Sequence, residues 1–211
     1  MTKITVTRGL AELKTLDSRI NSAIVGGTYV AAVRGKKEVP LNSAVTKEQI
    51  ESAITASFQQ VEALIARRDA IKRAIIVSNG STKVNISGTE MTVAEAIERK
   101  GSIGYTQHFI NTLVAHYNQA TNAVNQQNTR VEADIEKRVM AAYGNDKGKV
   151  NEDQYNLIAQ AVKGESEAKL LDPVKIADKI KELQTKFSDF VTEVDFVLSE
   201  SNARTEIEIA D

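Results

Sequence analysis

The sequence predicts a mainly α protein: long antiparallel helices forming a coiled-coil-like bundle, with small β-hairpin and strand elements, assembled as an oligomer. Three observations carry that prediction. Only two prolines occur in 211 residues, and good helix formers are abundant. Apolar residues recur at alternating spacings of three and four over long stretches. Those stretches are too long for one small globule to cover, so each needs another long helix or another subunit as its mate. The chain reads as a single helix-rich domain, 1–211, in which 25–45 and 144–170 are insertions or excursions.

Alternation over Thr2–Thr7 predicts a short strand with Ile4 and Val6 on one face. A helix follows Thr7 or Arg8. Leu10, Leu13, Leu16 or Asp17, Ile20 and Ile24 form its apolar stripe, and Gly26-Gly27 stops it. Residues 28–41 predict a hairpin: Tyr29–Val33 as one strand, Arg34-Gly35-Lys36-Lys37 as a basic turn, Glu38-Val39-Pro40 as the return. Thr46-Lys47-Glu48-Gln49 is a capping box, in which the Thr hydroxyl accepts from an early N–H and Gln reaches back. It opens a helix to about Val77. Ile50, Ile54, Ser57, Val61, Leu64, Arg68, Ile71 and Ile75 follow a 4-3-4-3-4-3-4 spacing, the pattern of a helical seam. Some thirty residues of helix reach roughly 45 Å.

Ser78-Asn79-Gly80-Ser81 is expected to break that helix. Thr82–Ser87 alternates as a strand, and Gly88 turns the chain. Thr92-Val93-Ala94-Glu95 is a second capping box, opening a short helix to Lys100-Gly101. From Gly104 a very long helix runs to Tyr143-Gly144. Ile110, Leu113, Tyr117, Ala120, Val124, Gln127 and Val131 line it, and roughly forty residues span about 60 Å. Between Asn118 and Asn128, seven of eleven residues are Asn or Gln. This stretch reads as a solvated polar face, a register-fixing layer in a seam, or a polar layer for a ligand. Asn145–Lys149 is a loop, and Asn151-Glu152-Asp153-Gln154 caps a shorter helix ended by Gly164. Asp172-Pro173 marks a helix start. Ile176, Ile180, Leu183, Phe187, Val191, Val194 and Leu198 form the last stripe, to Ser201-Asn202. Thr205–Ile209 alternates as a final strand, pairing with the first strand or the central hairpin.

Composition excludes much. Without cysteine there is no disulfide, thiol nucleophile or cysteine metal site. Two histidines are too few for a His-rich zinc centre. A net charge of −1, no Trp and 5% aromatics speak against a nucleic-acid partner. No apolar run approaches a membrane span and no export signal is read, so no membrane partner and a cytoplasmic location are expected, the host cytoplasm if phage-encoded. Charge is uneven: 1–101 carries net +5 and 165–211 net −6. The two ends attract each other, within or between chains, or are simply solvated faces.

Chemical constellations are absent from the pattern. His108 and His116, eight apart on a helix, point about 80° away from each other, a poor arrangement for a shared metal. Asp146, Gly148 and Asp153 lack an EF-hand's ligand spacing, with lysines between. Gly26-Gly27-Thr28 is not a phosphate loop, and no nucleophile elbow occurs. No enzyme, cofactor or metal is therefore expected. Two basic groups remain: Arg34, Lys36 and Lys37 on a turn, and Arg67, Arg68, Lys72 and Arg73 on a long helix. Each suits phosphate or an acidic protein surface, or is ordinary solvated charge. With Asn85, Tyr105 and His108, the residues Arg34, Lys36, Lys37, Arg67 and Arg68 form the candidate ligand- or partner-binding set.

Residues 10–24, the strand-turn-helix segment 82–100 and the closing helix and strand 172–209 stand in an order that resembles the septicolysin-like family of small bacterial and phage proteins. The resemblance covers about half the chain and departs at 25–45 and 118–170. It implies a helical, oligomeric fold and brings no catalytic signature. The expected function is that of a non-enzymatic oligomeric binding protein, a scaffold, virion component or inhibitor working through protein–protein contacts. The alternative is an oligomer that sequesters a small anionic ligand, such as a nucleotide signal, using Arg34, Lys36, Lys37 and the Asn/Gln stretch.

Overall fold

Helix formers dominate the chain, and caps divide it. The computed structural model describes residues 2–41, 45–144 and 151–209. Among them are five helices and three two-stranded antiparallel sheets. The elements are β1 (Thr2–Thr5), α1 (Val6–Gly26), β2 (Val33–Arg34), β3 (Val39–Pro40), α2 (Lys47–Ser81), β4 (Lys83–Ile86), β5 (Thr89–Thr92), α3 (Val93–Tyr143), α4 (Glu152–Ser166), α5 (Ile176–Arg204) and β6 (Glu206–Ile209). Contacts divide the chain into two compact units, Met1–Gly101 with Phe190–Asp211, and Ser102–Asp189.

The first unit is built on α1 and α2, which run antiparallel: Glu12 meets Arg67, and the Thr28 N–H reaches Ser57. Thr5 caps α1 by accepting from the Arg8 N–H. Thr46 and Gln49 close the capping box of α2 in both directions. The final strand pairs with the first, placing Ile4 opposite Ile207 and Lys3 opposite Glu208. One face of this sheet therefore carries isoleucines into the core, and the other carries a Lys3–Glu208 ion pair at 3.1 Å. Ile4, Val6, Leu16, Leu64, Ile71, Ile75, Ile207 and Ile209 form one buried cluster. Burying a side chain the size of Ile71 contributes about 1.5–3 kcal/mol. β4 and β5 join through Ser87-Gly88, both at positive φ (51° and 76°), the backbone a two-residue hairpin turn demands. Glu193 of α5 accepts from the Ser87 N–H at 2.6 Å and steadies that turn. Thr92 and Glu95 exchange capping hydrogen bonds where α3 begins.

The second unit packs α4 on α3 through Val131, Ile135, Ala159 and Val162. Asn128 acts as a substitute backbone: its amide donates to the Ala168 carbonyl (3.1 Å) and its oxygen accepts from the Ala168 N–H (2.8 Å). Gln127 donates to the Ser166 carbonyl, and Lys163 pairs with Glu132 at 2.8 Å. The chain leaving α4 is thus tied to the Asn/Gln-rich stretch. Asn118, Asn122 and Asn125 themselves are exposed.

Several expectations shift. α1 begins at Val6, so Val6 is helical. Its buried face is Val6, Gly9 and Leu16, with Leu13, Ile20 and Ala23 packed against it; Leu10 and Ile24 flank it and are exposed. The hairpin is real but pairs only two residues per strand, so Tyr29–Ala32 are not strand. Ser78–Ser81 does not break α2; those residues are its last turn. The short helix expected to end at Gly101 and the long one expected to begin at Gly104 are one continuous α3, because a helical glycine costs about 1 kcal/mol against Ala without removing a hydrogen bond. Gly164 likewise lies inside α4. Pro173 is not the first helical residue of α5. The helix starts at Ile176, whose N–H is held by both carboxylate oxygens of Asp172 across a turn with Lys175 at positive φ. Phe190, not Val191, takes the buried position on α5. The loop expected at Asn145–Lys149 lies outside the described residues.

Candidate binding surfaces

Among the described residues no polar or charged residue is buried, and no three His, Asp or Glu side chains gather as a metal would require. The chemistry on offer lies at the surface.

The β2–β3 hairpin sits where α1 ends. Gly27 leaves room for Tyr29, whose hydroxyl donates back to the Ala23 carbonyl at 2.9 Å; a Cβ on residue 27 would collide with that hydroxyl. Register sets the hairpin's two faces. Val33 pairs with Pro40, and both line a 180 Å³ pocket against Ile50 and Ile54 of α2. Arg34 pairs with Val39, so these two share the opposite face, and both are exposed. Gly35, at φ 70°, opens the turn that carries Lys36 and Lys37. Glu38 is bound by Lys47, which holds its carboxyl below the ordinary range, first by hydrogen bonding and then by charge. Lys47 also meets Glu51 at 3.7 Å. Arg34, Lys36 and Lys37 have no ion-pair partner among the described residues. On the segments that enter and leave the hairpin, Val30 and Leu41 are 83% and 63% exposed.

Arg67 and Arg68 do not join this group. Arg67 Nε donates to Glu12 Oε1 at 2.8 Å and its Nη2 to Oε2 at 3.4 Å, and Arg68 Nε donates to Asp17 at 2.7 Å. Both side chains clasp α1 to α2. They also lie about 25 Å along α2 from the pocket at Ile50. Asn85 is an exposed β4 residue opposite Glu90. Tyr105 and His108 are exposed on the part of α3 that belongs to the second unit. Of the eight candidates, the structure gathers Arg34, Lys36 and Lys37 on one hairpin and pairs Arg67 with Arg68 in one clasp.

Two further surfaces escaped the sequence reading. Phe58, Ile65 and Ile76 are exposed on α2. Their spacings of seven and eleven are near-whole numbers of turns, so they lie within about 20° of one another. The signal was present, masked by the stronger seam one residue away. The second is an open groove of 540 Å³ between the end of α2 and β6, lined by Ala70, Arg73, Ala74, Val77, Ile207 and Glu206 among others. Arg73 belongs to the basic group noted on that helix, but nothing in its local sequence placed β6 beside it.

No protein-family model matches the chain, and neither a curated protein nor a solved structure matches it.

Proposed function

We propose a non-enzymatic binding protein that works in the cytoplasm as a homo-oligomer, through protein–protein contacts between helices. A scaffold, a virion component and an inhibitor of another protein are the roles that suit such an object. The observation that carries this reading is the exposed stripe of Phe58, Ile65 and Ile76 along α2. An apolar line on one face of a long helix is stabilised when a second helix covers it in coiled-coil fashion. Tyr105 and Phe109, exposed one turn apart on α3, add a second such line. The septicolysin-like resemblance of 82–100 and 172–209 points to the same helical, oligomeric object.

Analytical ultracentrifugation tests the proposal. The chain is expected to sediment as an oligomer at micromolar concentration, and Phe58→Asp with Ile65→Asp is expected to disperse it while leaving its circular dichroism unchanged. A compact monomer overturns the reading. The second reading, capture of a small anion such as a nucleotide, rests on Arg34, Lys36 and Lys37 alone, since carboxylates already hold Arg67 and Arg68. A thermal-shift screen of nucleotides decides it, because a ligand bound only to the folded state raises apparent stability.

A further inference from the structure

The hairpin combines two properties that the helical stripes do not. It offers cations that no carboxylate among the described residues neutralises, and exposed aliphatic side chains. Arg34, Lys36 and Lys37 are exposed. Glu38 on the hairpin and Glu51 on α2, which line the pocket beside Val33 and Pro40, are both engaged by Lys47. Val30 and Leu41, on the segments that enter and leave the hairpin, stand in solvent, Leu41 bonded through its N–H to the Ala32 carbonyl, and Val39 shares the outward face with Arg34.

We infer that this hairpin docks on an anionic lipid surface. Composition separates a bilayer from a protein partner. Protein interfaces concentrate their energy in Trp, Tyr and Arg and are depleted of Lys, with Val and Leu under-represented among the residues that matter. Besides Arg34, the outward side of the hairpin offers two lysines, Val39 and Leu41, and no Trp. A bilayer interface accepts such a surface without shape complementarity: aliphatic side chains enter the headgroup boundary, and lysine stems lie along it with their ammonium groups in water. Lys and Arg near an anionic leaflet contribute about a fivefold gain in partition each. No helix among the described residues is long and apolar enough to cross a membrane, and the contact inferred is a peripheral one. The short, two-pair hairpin is held from below by the Val33–Pro40 face against Ile50 and Ile54 and by the Glu38–Lys47 pair. Its outward face can therefore meet the lipid without unfolding the helices. This inference is independent of self-association through α2, whose stripe lies on other residues.

The full chain should be sedimented with vesicles of phosphatidylcholine alone and of phosphatidylcholine mixed with phosphatidylglycerol, at low and high salt. Binding is expected only to the mixed vesicles, and it should weaken as salt rises. Neutralising the tip with Arg34→Ala, Lys36→Ala and Lys37→Ala is expected to weaken partition on the order of a hundredfold. Val30→Ser with Leu41→Ser should weaken it at both salt concentrations. All these positions are exposed, and circular dichroism together with the sedimentation velocity of the lipid-free chain verifies that the variants keep their fold and assembly. Absence of binding to mixed vesicles overturns the inference, as does a triple variant that binds like the parent. If vesicles are ignored and the triple variant changes the oligomer instead, the hairpin belongs to a second copy.

Discussion

Gly9 is a buried helical residue whose backbone asks for no glycine, since its φ is not among the positive ones. Its small size is needed for another reason. A Cβ there would stand 3.3 Å from Ile207 Cδ1, 3.4 Å from Ile71 Cγ2 and 3.4 Å from Ile75 Cδ1. Residue 9 is thus a point where α1, α2 and β6 meet. Gly9→Ala has two opposed effects. It gains about 0.5–1 kcal/mol in helix propensity. It also crowds three isoleucines; the two terminal Cδ1 methyls can rotate away, whereas Ile71 Cγ2 is fixed to a branched Cβ. These nearly cancel, and the expected change is under about 1 kcal/mol. Gly9→Leu adds three more carbons to a filled site and should cost about 2–3 kcal/mol by overpacking. For a chain of this size that lowers Tm by about 5–10 °C. Thermal melts followed by circular dichroism measure both variants. The Leu variant should regain part of its loss when Ile75→Ala opens space beside it, an interaction that only neighbours show. A Leu variant melting with the parent would falsify the close approach of the three elements.

Ile135→Ala removes a fully buried side chain of the second unit and should cost about 2–5 kcal/mol; hydrogen exchange should show lost protection in α4, and unchanged exchange there would contradict the packing. Asn128→Asp keeps the acceptor for the Ala168 N–H but loses the donor to its carbonyl, and should cost about 1–3 kcal/mol in a urea titration; Asn128→Leu tolerated without loss would remove the pairing from the account. Glu182 accepts hydrogen bonds from Lys179 (2.8 Å) and Lys186 (2.7 Å), which with their charges pull its carboxyl from the ordinary 4.5 down to about 2. Because the folded value is the lower one, the stability Glu182 contributes is present above pH 4.5 and is lost as pH falls toward 2. Carboxyl carbon NMR should follow that titration, Glu182→Gln should flatten stability against pH in this window, and a Glu182 titrating like a free carboxylate would contradict the geometry.

Local chemistry was legible wherever it acts within one turn. The capping boxes at Thr46, Thr92 and Asn151 form as their residue types dictate, since donor and acceptor lie three residues apart. Part of the α2 apolar spacing was legible too: Leu64, Ile71 and Ile75 are buried. The hairpin turn at Gly35 to Lys37 followed from a glycine between basic residues. Helix continuity was less so, because Gly80 and Gly101 read as stops and Gly104 as a fresh start, yet glycines cost too little to interrupt long runs of helix formers.

Sequence by itself determined that this chain is mainly helical, where most of its helices are capped, and that its first and last segments alternate as strands. Tertiary structure decided the rest. A three-four spacing fixes that a helix has an apolar stripe but not which phase of it meets a partner, so Gly9 went inside and Ala23 packed against the core while Leu10 and Ile24 stayed out. Arg67 and Arg68 became a clasp only because folding brought Glu12 and Asp17 from more than fifty positions away. Arg34, Lys36 and Lys37, a few residues apart, kept their charge free because no described carboxylate was brought to them. Charge and periodicity are properties of the chain; neutralisation and burial are properties of the neighbours that the fold supplies.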